Sequence, residues 1–150
     1  MKIICHRGNL NGPNPLTENN LRQIDVCIEK GYDVEIDLWV GDGLWLGHDG
    51  PEYLITKEWL TFRQRNLWVH CKNIEAVMFL RAYAPHMHWF WHQEDDYTLT
   101  SHGWVWAYPN KPVTPDATRS VCVMPEIYNS DTSNFQAVCT DYAETYTIRS

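Results

Sequence analysis

The sequence is short of positive charge: 12 Lys and Arg stand against 19 Asp and Glu, for a formal net charge of −7. That balance disfavours a nucleic-acid groove or an anionic membrane surface as the main partner, while a local basic pocket for one small anion remains compatible with it. Long apolar runs are missing as well. None approaches the roughly 20 residues of a spanning helix, so no membrane span is expected. The opening MKIICHRGNL is polar by His6, which speaks against a signal peptide and for a cytoplasmic setting. No cysteine forms a C-x-x-C pair; the five are odd in number and scattered, so a zinc site of that type is not indicated and reduced, buried thiols are expected. Internal repeats and low-complexity segments are absent too. What remains, at 150 residues, 44 % hydrophobic and 21 % charged, fits one globular domain spanning residues 1–150.

Tryptophan is abundant, with eight residues, several in alternation as in HWFWHQ and GWVWAY. Period-two tryptophans read as strands with one face set, mostly for core packing and in part for a ligand cleft. KIICH is a first strand and RGNLNGPNPL a loop. Thr17 can cap a helix over residues 18–30, with Leu21, Ile24, Cys27 and Ile28 as its apolar stripe and Gly31 as its stop. YDVEIDLWV alternates as a strand, GDG turns it, and LWLGH returns. Thr56 can cap a short helix through KEWLTFRQ, NLWVHC is a third strand, and Asn73 caps IEAVMFLRAY, which Pro85 ends. HMHWFWHQ, GWVWAY, SVCVM and QAVCTDY are further strands.

Alternating strand and helix predicts a parallel sheet. Six strand ends are polar: His6-Arg7, Glu35 to Asp37, His70 to Lys72, His92 to Glu94, Glu126, and Thr140-Asp141. A parallel barrel places its site at that rim, whereas a doubly wound sheet gathers it at one switch point. Six polar ends favour the barrel. Because such barrels usually need about 250 residues, the expectation is an α/β fold of reduced TIM type. Its helices would be missing or shortened in the second half.

Glu35 and Asp37, two apart on a strand, project from one face. Adjacent ionised carboxylates repel and need a cation to stay close, and oxygen donors suit Mg²⁺ or Ca²⁺; a solvated strand face is the alternative. His6 can move protons near neutrality, and Arg7 can grip phosphate through paired N–H donors. His48-Asp49 ends the returning hairpin arm, where GHDG also reads as a plain turn.

Taken in order, His6-Arg7-Gly8, Glu18-Asn19, Glu35-x-Asp37 and His48-Asp49 resemble the opening of the glycerophosphodiester phosphodiesterases. That family runs H-R-G, E-N, E-x-D, H-D and sits in the superfamily that includes phosphatidylinositol-specific phospholipase C. Lys72 in VHCKN matches the lysine of the family's E-x-K, and AVCTDYAE resembles its last strand, G-[IV]-x-T-D-x-P, without the proline. The likeness is dense in the first half, and residues 85–125 match only as strands. It implies a hydrolase of phosphoric diesters with a divalent metal, Mg²⁺ or Ca²⁺, on Glu35 and Asp37. His6 and His48 would be the acid–base pair, and Arg7 and Lys72 would hold phosphate. Glu18 would orient Arg7 or join the metal shell, and Trp91, Trp106 and Tyr108 would wall the headgroup site. The substrate would be a small phosphodiester, not nucleic acid.

Two departures stand out. His70 occupies the place of an acidic third ligand, which admits Mn²⁺ or Zn²⁺ and leaves that position open between His70, Glu94 and Glu126. The family's cleft-shaping insertion is reduced to a few hairpin residues, which implies a broad, open site. A binding module that kept the pocket and lost turnover is the rival reading. A lyase of the phospholipase D toxin type shares the histidines and E-x-D, but its disulfides do not match the cysteine pattern. The alcohol of the substrate, the choice between water and a substrate hydroxyl as attacking group, and the oligomeric state are not legible in the sequence.

Overall fold

The computed structural model describes residues 1–149, with side chains through residue 146. Ten strands among the described residues form one curled sheet. β1 (Lys2–His6), α1 (Leu21–Glu29), β2 (Asp33–Val40), β3 (Leu44–Leu46), β4 (Tyr53–Ile55), α2 (Lys57–Phe62), β5 (Leu67–Cys71) and α3 (Ile74–Tyr83) make the first half. β6 (Trp89–Trp91), β7 (Tyr97–Leu99), β8 (Val105–Ala107), β9 (Ser120–Val123), a 3-10 turn (Pro125–Ile127), β10 (Ala137–Thr140) and α4 (Ala143–Arg149) follow.

β6, β5, β2, β1, β10, β9 and β8 are parallel neighbours in that order. β7 runs antiparallel beside β8. Its other edge meets β6 through Ser101 N–H to Trp89 O at 2.8 Å, Trp89 N–H to Ser101 Oγ at 2.8 Å and Thr98 Oγ1 to Trp91 O at 2.9 Å. Eight staves therefore follow one another in chain order, β1, β2, β5, β6, β7, β8, β9 and β10, as in a TIM-type barrel with one stave reversed. Between β6 and β10 no α-helix covers the described chain. The reduction in the second half is real, although α4 returns at the end.

Alternation divides the strands into two faces. Val34, Ile36 and Leu38 of β2 and Leu67, Val69 and Cys71 of β5 face outward and pack with Ile24, Leu60 and Leu80 of the helices. Inside lie Ile4, Trp68, Phe90, Trp106, Val121, Val123, Ala137 and Cys139. Phe90 stacks on Trp106 at 4.5 Å between centroids, and Trp68 lies 5.8 Å from Trp106. Large rings fill the interior where longer barrels use layers of branched aliphatics, and burial of each contributes roughly 1.5–3 kcal/mol. This layer is the floor on which the polar rim stands. All five cysteines are buried and none is in a disulfide. No helix among the described residues is long and apolar enough to cross a membrane.

The boundaries differ from expectation in instructive places. Thr56 and Asn73 cap α2 and α3 as predicted, each accepting a backbone N–H. The cap of α1 is Asn20, which accepts from Arg22 N and Gln23 N, and not Thr17. Residues 14–20 make a separate turn, with Asn19 in the left-handed region at φ 60°. The helix cannot run through that residue. HMHWFWHQ contracts to the three residues of β6.

Candidate active site

β1 ends at His6, and Arg7 turns the chain away with φ 55°. A non-glycine residue there costs on the order of 1–3 kcal/mol, a strain found where surrounding structure fixes a functional conformation. Two bonds fix this one: Arg7 N–H lies 3.0 Å from the Glu35 carbonyl and 3.2 Å from Glu35 Oε1. On β2, Glu35 and Asp37 both point inward and are almost wholly buried. Asn19 clamps Asp37 twice at 2.9 Å, donating Nδ2–H to Oδ2 and accepting the Asp37 N–H at its own Oδ1.

His70 on β5 occupies the next inward position, with Nδ1 3.3 Å from Asp37 Oδ1 and 3.8 Å from Glu35 Oε2. The ligand atoms of Glu35, Asp37 and His70 all lie within 4.8 Å of one another. Of the three alternatives for a third ligand, His70 is the one beside the two acids. Glu94 is exposed. Glu126 accepts from Thr140 Oγ1 and from Asp141 N, both at 3.0 Å. Glu18 stands apart from the cluster, accepting from Asn9 Nδ2 at 2.8 Å and Asn14 N at 3.1 Å and lying 3.5 Å from Arg7 Nη1. It orients Arg7.

His6 Nδ1 lies 2.8 Å from Asp141 Oδ1, and its Nε2 lies 4.0 Å from Glu35 Oε1. The Asp141 carboxylate fixes Nδ1 as the donor and turns Nε2 toward the cavity. Asp141 is itself held by Asn9 Nδ2 at 2.9 Å. His48 comes back to the same rim on the hairpin. Gly47 N–H bonds Asp37 O at 3.1 Å, and Trp39 Nε1 bonds Gly47 O at 2.6 Å, so the loop is tied to β2 just before the histidine. His48 Nδ1 then pairs with the exposed Asp49 at 2.7 Å.

One cavity of about 550 Å³ collects these groups: His6, Arg7, Glu35, Asp37, His48, His70 and Lys72 all line it. Trp91 and Tyr108 stand in its wall, and Trp106, 2 % exposed, forms part of its floor. Two wall residues are given no role by the sequence, although His92 stands among its polar strand ends. His92 stacks on Tyr108 at 3.6 Å. Trp39 serves as the tether of the hairpin. The role of Asp141 was also hidden, although its T-D stood in the sequence as a polar strand end.

With that geometry, comparison with solved structures is informative. A crystal structure of a protein from Galdieria sulphuraria, assigned as a glycerophosphodiester phosphodiesterase, superposes with a TM-score of 0.57 at 14 % identity, over 99 % of this chain and 98 % of that one. This chain has that protein's fold. It is the fold implied by the H-R-G, E-N, E-x-D, H-D order of the sequence. No family model matches the sequence, and no curated protein matches it.

The electrostatics of the rim follow from burial and pairing. Burial raises the Glu35 carboxyl above its ordinary value, and neighbouring Asp37 adds to the effect. Burial pushes Asp37 the same way, but hydrogen bonding and charge from His70, with the Asn19 bond, outweigh it and hold Asp37 at about 2. For His6, burial favours the neutral ring, yet Asp141 and Glu35 prevail and raise its value. Two buried carboxylates and an imidazole nitrogen in mutual reach are a donor set that fits a divalent cation. Such an ion would relieve the repulsion that Glu35 registers.

Proposed function

We propose that the chain is a metal-dependent phosphodiesterase that hydrolyses a small glycerophosphodiester-like substrate with histidine acid–base catalysis. The observation that supports this reading best is the meeting, in one cavity, of the Glu35, Asp37 and His70 donors with the Asp141-bound His6 and the cations Arg7 and Lys72. A divalent ion on the three donors would supply charge neutralisation at one non-bridging phosphate oxygen.

Arg7 and Lys72 hold the remaining phosphate oxygens as negative charge builds. His6 takes the proton of the attacking oxygen at Nε2, while Asp141 at Nδ1 stabilises the imidazolium that results. His48 gives a proton to the departing alcohol oxygen as its bond to phosphorus breaks. The attacking oxygen comes from water or from a neighbouring hydroxyl of the substrate. Glu18 orients Arg7, and the stacked pair His92 and Tyr108 shields one wall from solvent. The reading is tested by following bis-p-nitrophenyl phosphate and glycerophosphodiesters with wild type and His6→Ala. Wild-type turnover that falls in the variant by on the order of 10²–10⁴ is expected. Binding of glycerol phosphate without cleavage would favour the module that kept the pocket and lost turnover.

A further inference from the structure

We infer that the Glu35, Asp37 and His70 centre is built for a borderline first-row ion of the Zn²⁺, Co²⁺ and Mn²⁺ class, bound through His70 Nδ1, and discriminates against Mg²⁺ and Ca²⁺. The inference rests on the metal-dependent reading above and deepens it.

The carboxylates are already half engaged. Glu35 Oε1 accepts the Arg7 N–H at 3.2 Å, and Asp37 Oδ2 accepts Asn19 Nδ2–H at 2.9 Å. Each acid therefore keeps one oxygen free of these bonds, Glu35 Oε2 and Asp37 Oδ1. Those are the two oxygens nearest His70 Nδ1, at 3.8 Å and 3.3 Å. A pair of monodentate carboxylates with one nitrogen is a three-donor set. Ca²⁺ prefers six to eight oxygens, often with bidentate carboxylates, and Mg²⁺ is met by one or two carboxylates with waters completing an octahedron of oxygen, in which the imidazole is the misplaced donor. Three donors with one imidazole and open positions are the arrangement of catalytic zinc and its neighbours in the series.

His70 is also held in an orientation that can ligate. Its Nε2 lies 3.4 Å from the carbonyl of His92, an acceptor that requires a proton on Nε2. That leaves Nδ1 as the nitrogen turned toward the acids, 3.3 Å from Asp37 Oδ1. The ring stacks on Phe90 at 5.0 Å with an interplanar angle of 14°. It lies on β5 directly beside Phe90 of β6 in the register. A backbone carbonyl behind a ligating imidazole is the usual device that sets tautomer and orientation. Asn19 and the Arg7 amide do the same for the acids.

The test is isothermal titration of the metal-stripped full chain with Zn²⁺, Co²⁺, Mn²⁺, Mg²⁺ and Ca²⁺, joined to the visible spectrum of the Co²⁺ form. The expected order is Zn²⁺ tighter than Co²⁺, Co²⁺ tighter than Mn²⁺, and Mn²⁺ tighter than Mg²⁺ or Ca²⁺. His70→Ala should weaken Zn²⁺ by at least roughly 100-fold, the upper end of what loss of a mere supporting residue costs, and should alter the Co²⁺ bands. His70→Glu should restore Mg²⁺ at the expense of Zn²⁺. Wild-type affinity for Mg²⁺ or Ca²⁺ equal to that for Mn²⁺, a comparison that needs no variant, would overturn the inference and leave metal dependence standing. An unchanged Co²⁺ spectrum in a folded His70→Ala would do the same. Failure of every ion to bind wild type would overturn the metal-dependent reading itself.

Discussion

Asn19 is buried, sits at φ 60° and is joined to Asp37 by two hydrogen bonds of 2.9 Å. Replacing it with Ala removes both. One is made to an ionised carboxylate and is worth roughly 1.5–3 kcal/mol, and the other satisfies a buried backbone N–H and is worth roughly 1 kcal/mol. Alanine in the left-handed region adds about 1–2 kcal/mol, because its Cβ crowds the following carbonyl. The sum is about 3.5–6 kcal/mol, a large share of the stability of a small protein. At roughly 2–4 °C per kcal/mol for a chain of this size, Tm should fall by at least about 7 °C. Asn19→Gly keeps the backbone conformation and loses only the bonds, so it should recover about 1–2 kcal/mol of the loss. The assay is urea and thermal unfolding followed by circular dichroism. A loss below about 1 kcal/mol for Asn19→Ala would refute the claim that this side chain holds the acidic strand in place.

Other perturbations separate the remaining parts of the site. At Gly47 any Cβ would overlap the Gly50 carbonyl oxygen, so Gly47→Ala should displace the His48 loop and lower turnover while metal affinity is preserved. Parallel rate and titration measurements check this. Asp141→Asn should lower kcat by on the order of 10²–10⁴ with little change in KM. It should also move the acidic-limb apparent pKa of kcat downward, because the carboxylate helps to raise His6. In metal-free protein, the raised values of Glu35 and His6 make stability fall as pH rises through them. The depressed Asp37, at about 2, contributes stability that is lost as pH falls below its ordinary 3.8. In chelator the contribution of these three groups, read as the difference between melts of wild type and of a Glu35→Gln, Asp37→Asn, His6→Gln variant, should therefore peak between about pH 3.8 and 4.5. Added metal, which needs Glu35 ionised, should shift the peak upward.

Strands with a clear period and helices with a side-chain cap could be read directly, as with DVEIDLWV and the Thr56 and Asn73 caps. β4 and β7 could not, because three residues hold no period and their pairing depends on neighbours brought in by the fold. Thr17 is the expected cap, but Asn20 is of the stronger capping type. What decides between them is Asn19, whose left-handed backbone serves Asp37 and interrupts the helix. Of the site, the His6, E-x-D and His48 elements stood out because they sit in order within the first half. The link from His6 to Asp141 spans 135 positions and is created only when β10 pairs with β1. The choice of His70 over Glu94 and Glu126 had the same origin: the β2 to β5 register sets His70 opposite Asp37.

The most direct test of the central claim is a rate measurement on metal-stripped protein with a glycerophosphodiester as substrate, before and after a divalent ion is restored. Wild type, Asp37→Ala and His6→Ala would be compared. The account predicts no turnover without the ion and recovery with it in wild type. Asp37→Ala should lose both ion binding and turnover, whereas His6→Ala should bind the ion and remain slow. Metal-loaded wild type that cleaves no phosphodiester, or turnover indifferent to chelator, would contradict it.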